Sequence, residues 1–149
     1  MASVIMNRFK RNVMAGAIAL SATDIICSLV TSAMTDTLTN DEIRDSNTWS
    51  SLSAYEVGGT GYTAGGQGLA GLVMTQDDTN NWAKFTATTV TWTDTVLNNV
   101  MGAILRTSAD AGDGTQSDLI CYTEFDSVQS SNNGDFVITW STNGIIRGR

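Results

Sequence analysis

A serine or cysteine nucleophile needs a base beside it, and this chain of 149 residues contains no histidine. The base would have to be Lys10, Lys84 or a carboxylate, and neither lysine sits in a recognisable motif. The pairs Asp77/Asp78 and Glu124/Asp126 are of the type that serves a glycosidase as acid and base. In sequence they cannot be told from loop and strand-edge charges. Asp110, Asp113 and Asp118, with Gly112 and Gly114, have the composition of a Ca²⁺ cradle. The EF-hand spacing is not met, however, and no Glu closes the loop, so a solvated turn is the simpler reading. Gly66-Gln-Gly68-Leu-Ala-Gly71 matches GxGxxG, but no apolar strand leads into it and a short strand, not a long helix, is expected after it. Close backbone approach and sharp turning explain those glycines better than dinucleotide binding. Cys27 and Cys121 lack metal-site spacing and lie in apolar alternating stretches; buried free thiols are expected, with a disulfide as the alternative. The sequence thus predicts no enzyme, no metal and no cofactor.

The net charge of −7 argues against a nucleic-acid backbone and an anionic membrane surface as partners, because both reward a basic face. The charge is uneven. Arg8, Lys10 and Arg11 cluster near the start and Arg147 and Arg149 near the end, with a strongly acidic stretch between. Such asymmetry can orient assembly, or the ends are simply solvated. Residues 8–22 resemble a secretory leader; because Met1 is present, an uncleaved amphipathic helix is expected instead. No apolar run approaches the ~20 residues that span a bilayer.

Hydrophobic residues make up 42% of the chain and charged residues only 15%, with Thr, Ser, Asn and Gly filling the difference. That mix suits half-exposed strands and tight corners. A helix is expected over residues 3–16, capped by Ser3, presenting Ile5, Phe9 and Val13 as its apolar stripe and stopping at Gly16. Residues 24–31 alternate as a strand. Thr39-Asn-Asp-Glu42 is a capping box that starts a short helix carrying Ile43, or else an ordinary polar loop. Half of the fourteen glycines fall in GGTGYTAGGQGLAG. Short strands are then expected over Leu69–Met74, Trp82–Ala87, Thr88–Thr93, Val100–Arg106, Leu119–Phe125 and Phe136–Trp140, with a turn at 76–81 and a long polar loop at 108–118. Asn133-Gly134 reads as a hairpin turn, since both residues tolerate positive φ. The expected fold is mainly β: an antiparallel sandwich or barrel-like domain behind a short N-terminal helix, a single domain over 1–149 with the helix within 1–18 and the β domain over 20–149. Strand edges rich in Thr, poor in charge and free of Pro invite pairing by neighbours, hence an oligomer or a place in a lattice.

Among the aromatic residues, Trp82 and Trp92 fall in alternating strands and are expected in the core. Tyr62 sits inside the glycine-rich stretch and is either a contact residue or local packing. With Arg8, Lys10 and Arg11 it completes the expected partner-contact residues.

Several blocks resemble a family of small proteins encoded among the virion structural genes of tailed bacteriophages. They are Asn7-Arg-Phe-Lys-Arg through Asp24-Ile-Ile-Cys-Ser-Leu-Val-Thr31; Tyr55-Glu-Val-Gly-Gly-Thr-Gly-Tyr-Thr-Ala-Gly-Gly66, the most specific; Val90-Thr-Trp92 with Gly102-Ala-Ile-Leu105; and Leu119-Ile-Cys-Tyr-Thr-Glu-Phe-Asp126 with Asn133-Gly-Asp-Phe-Val-Ile-Thr-Trp140 and Gly144-Ile-Ile146. They run in the family's order over nearly the whole chain; the loop 108–118 looks longer than usual. None carries a catalytic motif, so the resemblance implies a role in the particle and no chemistry. The first expectation is a capsid decoration (cement) protein in the virion, assembled in the host cytoplasm. It would bind the major capsid protein and copies of itself, as a homotrimer or a dimer. A neck, tail or fibre-base protein is the alternative, followed by a host-receptor or carbohydrate-binding module.

Overall fold

The computed structural model describes residues 3–21, 24–108 and 117–148. The fold is mainly β, with two antiparallel sheets and a short helix near the N-terminus.

The N-terminal segment divides where the sequence suggested one helix. Ser3–Ile5 is a strand (β1), and the helix (α1) spans only Asn7–Met14. The physical reason is competition for the backbone: Ser3, Val4 and Ile5 are in register with Thr123, Tyr122 and Cys121, so they are not free to form a first helical turn. The Met6 N–H still reaches the Ile120 carbonyl at 3.0 Å, and Met6, not Ser3, occupies the N-cap. The expected stripe is corrected with it. Ile5 belongs to the sheet, Phe9 and Asn12 are the buried helical residues, and Val13 is 43% exposed. Gly16 does end the helix, at φ +71°, with the Ala17 N–H reaching back to the Asn12 carbonyl.

Ile25–Thr31 (β2) matches its sequence pattern and is buried on both faces. Ala33–Thr37 (α2) then inserts Met34 into the core. The capping box forms as the sequence suggested and starts Asn40–Asp45 (α3), which buries Ile43. Hydrogen bonds from the Thr39 backbone and hydroxyl hold the Glu42 carboxyl below its usual pKa. Two 3₁₀ turns, Trp49–Ser51 and Ser53–Tyr55, lead to the glycine-rich stretch, where only Gly59–Thr60 (β3) and Gln67–Gly68 (β4) are extended and paired.

A hairpin of Val73–Asp77 (β5) and Trp82–Thr86 (β6) follows. The Asp77 carboxylate closes its turn, accepting from the Asn80 backbone and side chain and from the Trp82 indole N–H. The expected strand over Leu69–Met74 is thus displaced to Val73–Asp77.

Two long strands dominate the molecule: Val90–Thr107 (β7) and Leu119–Ile138 (β8), 18 and 20 residues. Each joins two segments that the sequence presented as separate short strands. Asn133-Gly134 is no hairpin turn: Thr95 faces Gly134, Val96 faces Asn132, and Asn133 is the extra residue of a β-bulge. Asp94, Asn99 and Asn133 have φ of 51°, 63° and 52°, and each lies at a register shift of the β7–β8 ladder. Asn and Asp tolerate the left-handed region, so the residues that suggested corners bend a continuous ribbon. Farther along, Val100 faces Gln129 but Gly102 faces Glu124, so residues 125–128 bow out of β8.

The main sheet has the order β1-β8-β7-β2-β4, with β3 also on β7. Ile146–Gly148 (β9) pairs with β6 in the second sheet, β5-β6-β9. Core side chains come from both sheets, among them Ile25, Leu29, Leu105, Ile138 and Phe85. Cys27, Leu105 and Cys121 lie in one register row. The thiols are therefore two strand spacings apart, about 9–10 Å, which is outside disulfide reach. Both are free and buried, as the sequence suggested. Burial pushes both thiols up, Cys121 to about 12.

Candidate functional site

The glycine-rich stretch is held against the sheet by a buried polar cluster. Tyr62 donates its hydroxyl proton to Glu56 Oε1 at 2.7 Å and accepts the Leu29 N–H at 3.0 Å. Glu56 Oε1 also accepts the Gly65 N–H at 2.7 Å. Burial first, then the bond to Glu56, raises the Tyr62 pKa above its usual value. From β7, Arg106 donates to Ser28 Oγ, Ser117 Oγ and the Gly65 carbonyl, and its guanidinium lies 4.9 Å from the centroid of the Trp49 ring. Gly66 is required at the closest approach: its φ is +81°, and a Cβ there would sit 2.2 Å from the Cys27 carbonyl oxygen. This accounts for the GxGxxG match, since Gln67 and Gly68 pair with β2 and no helix follows.

The four expected contact residues separate. Tyr62 is only 9% exposed; it packs on Trp92 with ring centroids 5.9 Å apart, so it serves its own loop and presents little surface to a partner. Arg8 pairs with Asp118 at 2.6 Å, with side-chain exposures of 13% and 0%. Asp118 also accepts from Asn12 Nδ2 at 3.0 Å, so it is engaged in joining α1 to β8. Asp110 and Asp113, the other acids of the expected Ca²⁺ cradle, lie outside the described residues. Among the described residues no group of three or more His, Cys, Asp or Glu is placed to hold a metal ion. Lys10 and Arg11 do face outward on α1, beside exposed Val13 and Met14, the latter 82% exposed. Of the two expected core tryptophans, Trp92 is buried, whereas Trp82 is half-buried with the Arg147 guanidinium 4.5 Å from its ring centroid.

An open groove of about 1150 Å³ lies between β1–β8 and the segment 139–147. Ile5, Phe125, Phe136, Trp140, Ile145 and Ile146 supply apolar lining; Asp126, Asp135 and Arg147 supply charge. Its volume exceeds the roughly 300–1,000 Å³ of small-molecule pockets. It runs along an uncapped strand: among the described residues β1 pairs with β8 only through Thr123, and no strand covers the same side of β8 beyond it. Ser and Thr hydroxyls line it, among them Ser127, Ser130 and Ser131, and no lysine is part of the lining. The groove was not readable from sequence, because its walls come from residues 3–5 and 121–147 and depend on the register of β1 on β8.

No family model, no curated protein and no solved structure matches the chain. No helix among the described residues is long and apolar enough to cross a membrane.

Proposed function

We propose that this chain is a structural, non-enzymatic protein of a tailed-bacteriophage particle, and that it serves as a capsid decoration protein on the major capsid protein shell. The observation that carries this reading is a surface suited to a repeating assembly: the wide groove along the uncovered side of β8 can take a further protein chain. An unpaired strand edge offers backbone N–H and C=O groups to another chain, and an open apolar trough beside it suits side chains from a macromolecular face. The uncovered edge carries no proline, and between Asp126 and Asp135 it has an uncharged run of eight residues, 127–134, open to pairing. The polar cluster around Arg106, Glu56 and Tyr62 is used up in anchoring a loop, which fits a rigid building block. The resemblance of the sequence blocks to phage virion proteins supports the setting. A neck or tail position would use the same surfaces in fewer copies.

The test is reconstitution. Phage heads assembled without this chain are titrated with the purified protein. Saturable binding together with a higher head-disruption temperature is expected; no binding to heads overturns the decoration role, and binding to tails alone moves the protein there.

A further inference from the structure

We infer that the groove receives helix α1 of a second copy of this chain. The inference rests on the building-block reading and names the partner of its groove. Three observations carry it.

The first is charge. α1 contains Arg8, Lys10 and Arg11 and no acidic residue. Arg8 is consumed by Asp118 inside the chain. Lys10 and Arg11 remain exposed, donating to the neighbouring side-chain amides of Asn7 and Asn12. In a chain of net charge −7, this is a concentrated cationic patch. The groove carries Asp126 and Asp135 on its β8 side and Arg147 on the other, so acid outweighs base along β8. Complementary patches of this kind steer and register association.

The second is apolar surface. Val13 and Met14, 43% and 82% exposed, extend from the same helix end, where an isolated chain gains nothing from them. The groove offers Phe125, Phe136 and Trp140 to cover them. Methionine fits irregular aromatic surfaces because its thioether is flexible and polarizable.

The third is position. No residue of α1 lines the groove of its own chain. Donor and acceptor are therefore separate surfaces, and every copy has one of each. Contacts between unlike surfaces are completed either reciprocally in a dimer or head-to-tail in a closed ring such as a trimer.

The experiment uses the full chain in analytical ultracentrifugation over a concentration series, with circular dichroism to verify folding. Wild-type protein is expected to self-associate, more weakly as salt is raised. The helix variant Lys10→Glu/Arg11→Glu and the groove variant Asp126→Lys/Asp135→Lys are each expected to weaken association about tenfold or more. Mixed in equal amounts they should assemble again, since the reversed helix then meets the reversed groove. Met14→Asp, at a solvent-facing position, should weaken association while leaving the melting temperature unchanged. A wild-type chain that stays monomeric, charge variants that associate like wild type, or a mixture that stays dissociated would each overturn the contact. None of these results alters whether the protein binds phage heads, so the contact and the role in the particle fail separately.

Discussion

Arg8 on α1 and Asp118, immediately before β8, form a 2.6 Å ion pair almost closed to solvent, with Asn12 completing the hold on Asp118. A residue that looked like a surface cation in the sequence is thus a fastener between the first helix and the longest strand. Removing one partner of a buried pair leaves the other charge without compensation, a loss of about 3–5 kcal/mol. Asp118→Ala is expected to destabilise the chain by that amount in urea denaturation, and Arg8→Met, which removes charge but keeps bulk, by less than Arg8→Ala.

The buried acids set an alkaline limit. Burial raises the pKa of both thiols, Cys121 from 9.0 to about 12, and raises those of Tyr62 and Tyr122 as well. In the unfolded chain a thiol ionises near pH 9, whereas the folded chain keeps its proton; above that pH the folded state binds more protons, so stability falls as pH rises. Below pH 9 this contribution is fully present. The urea midpoint should therefore hold steady between pH 7 and pH 8.5 and decline between pH 9 and pH 12, less steeply in a Cys27→Ala/Cys121→Ala variant compared with its own neutral-pH value. A wild-type midpoint that does not decline over that range would contradict the burial of these groups.

The loop anchor is testable at two atoms. Tyr62→Phe removes the acceptor for the Leu29 N–H and a donor to Glu56, and leaving a buried group unpaired costs about 1–3 kcal/mol. Gly66→Ala places a methyl against the Cys27 carbonyl at a positive φ and should cost more than Gly68→Ala, where the added carbon meets nothing within 4 Å. Thermal melts of the three variants give the order.

Phe9 and Lys10 are neighbours with opposite duties. Phe9 is 5% exposed, and Phe9→Ala should cost about 3–5 kcal/mol. Lys10→Ala should stay within about 0.5 kcal/mol in stability and lower self-association instead.

What could be read from the sequence was whatever local chemistry decides alone. β2 alternates, Thr39 and Glu42 close a capping box, Gly16 stops a helix, and the two cysteines lie in apolar runs; all four appear in the fold. What could not be read depends on partners distant in the chain. Ser3–Ile5 continues the apolar spacing of the helix, but its β-branched Val4 and Ile5 suit a strand and pair with residues 121–123 because a sheet edge is available there. Asn133-Gly134 has the chemistry of a hairpin turn, yet an Asn with positive φ also fits a bulge, and the opposing β7 decides between them. Tyr62, placed by its glycine neighbours in what looked like an exposed loop, is drawn inward by Glu56 and the Leu29 amide. The groove follows from these same long-range pairings.

A place in the phage particle is tested most directly by the copy number of this chain relative to the major capsid protein in purified virions, by quantitative mass spectrometry. A decoration protein predicts a simple, fixed ratio to the shell subunit. A handful of copies per particle would contradict the decoration role in favour of neck or tail, and absence from the virion would contradict the structural reading as a whole.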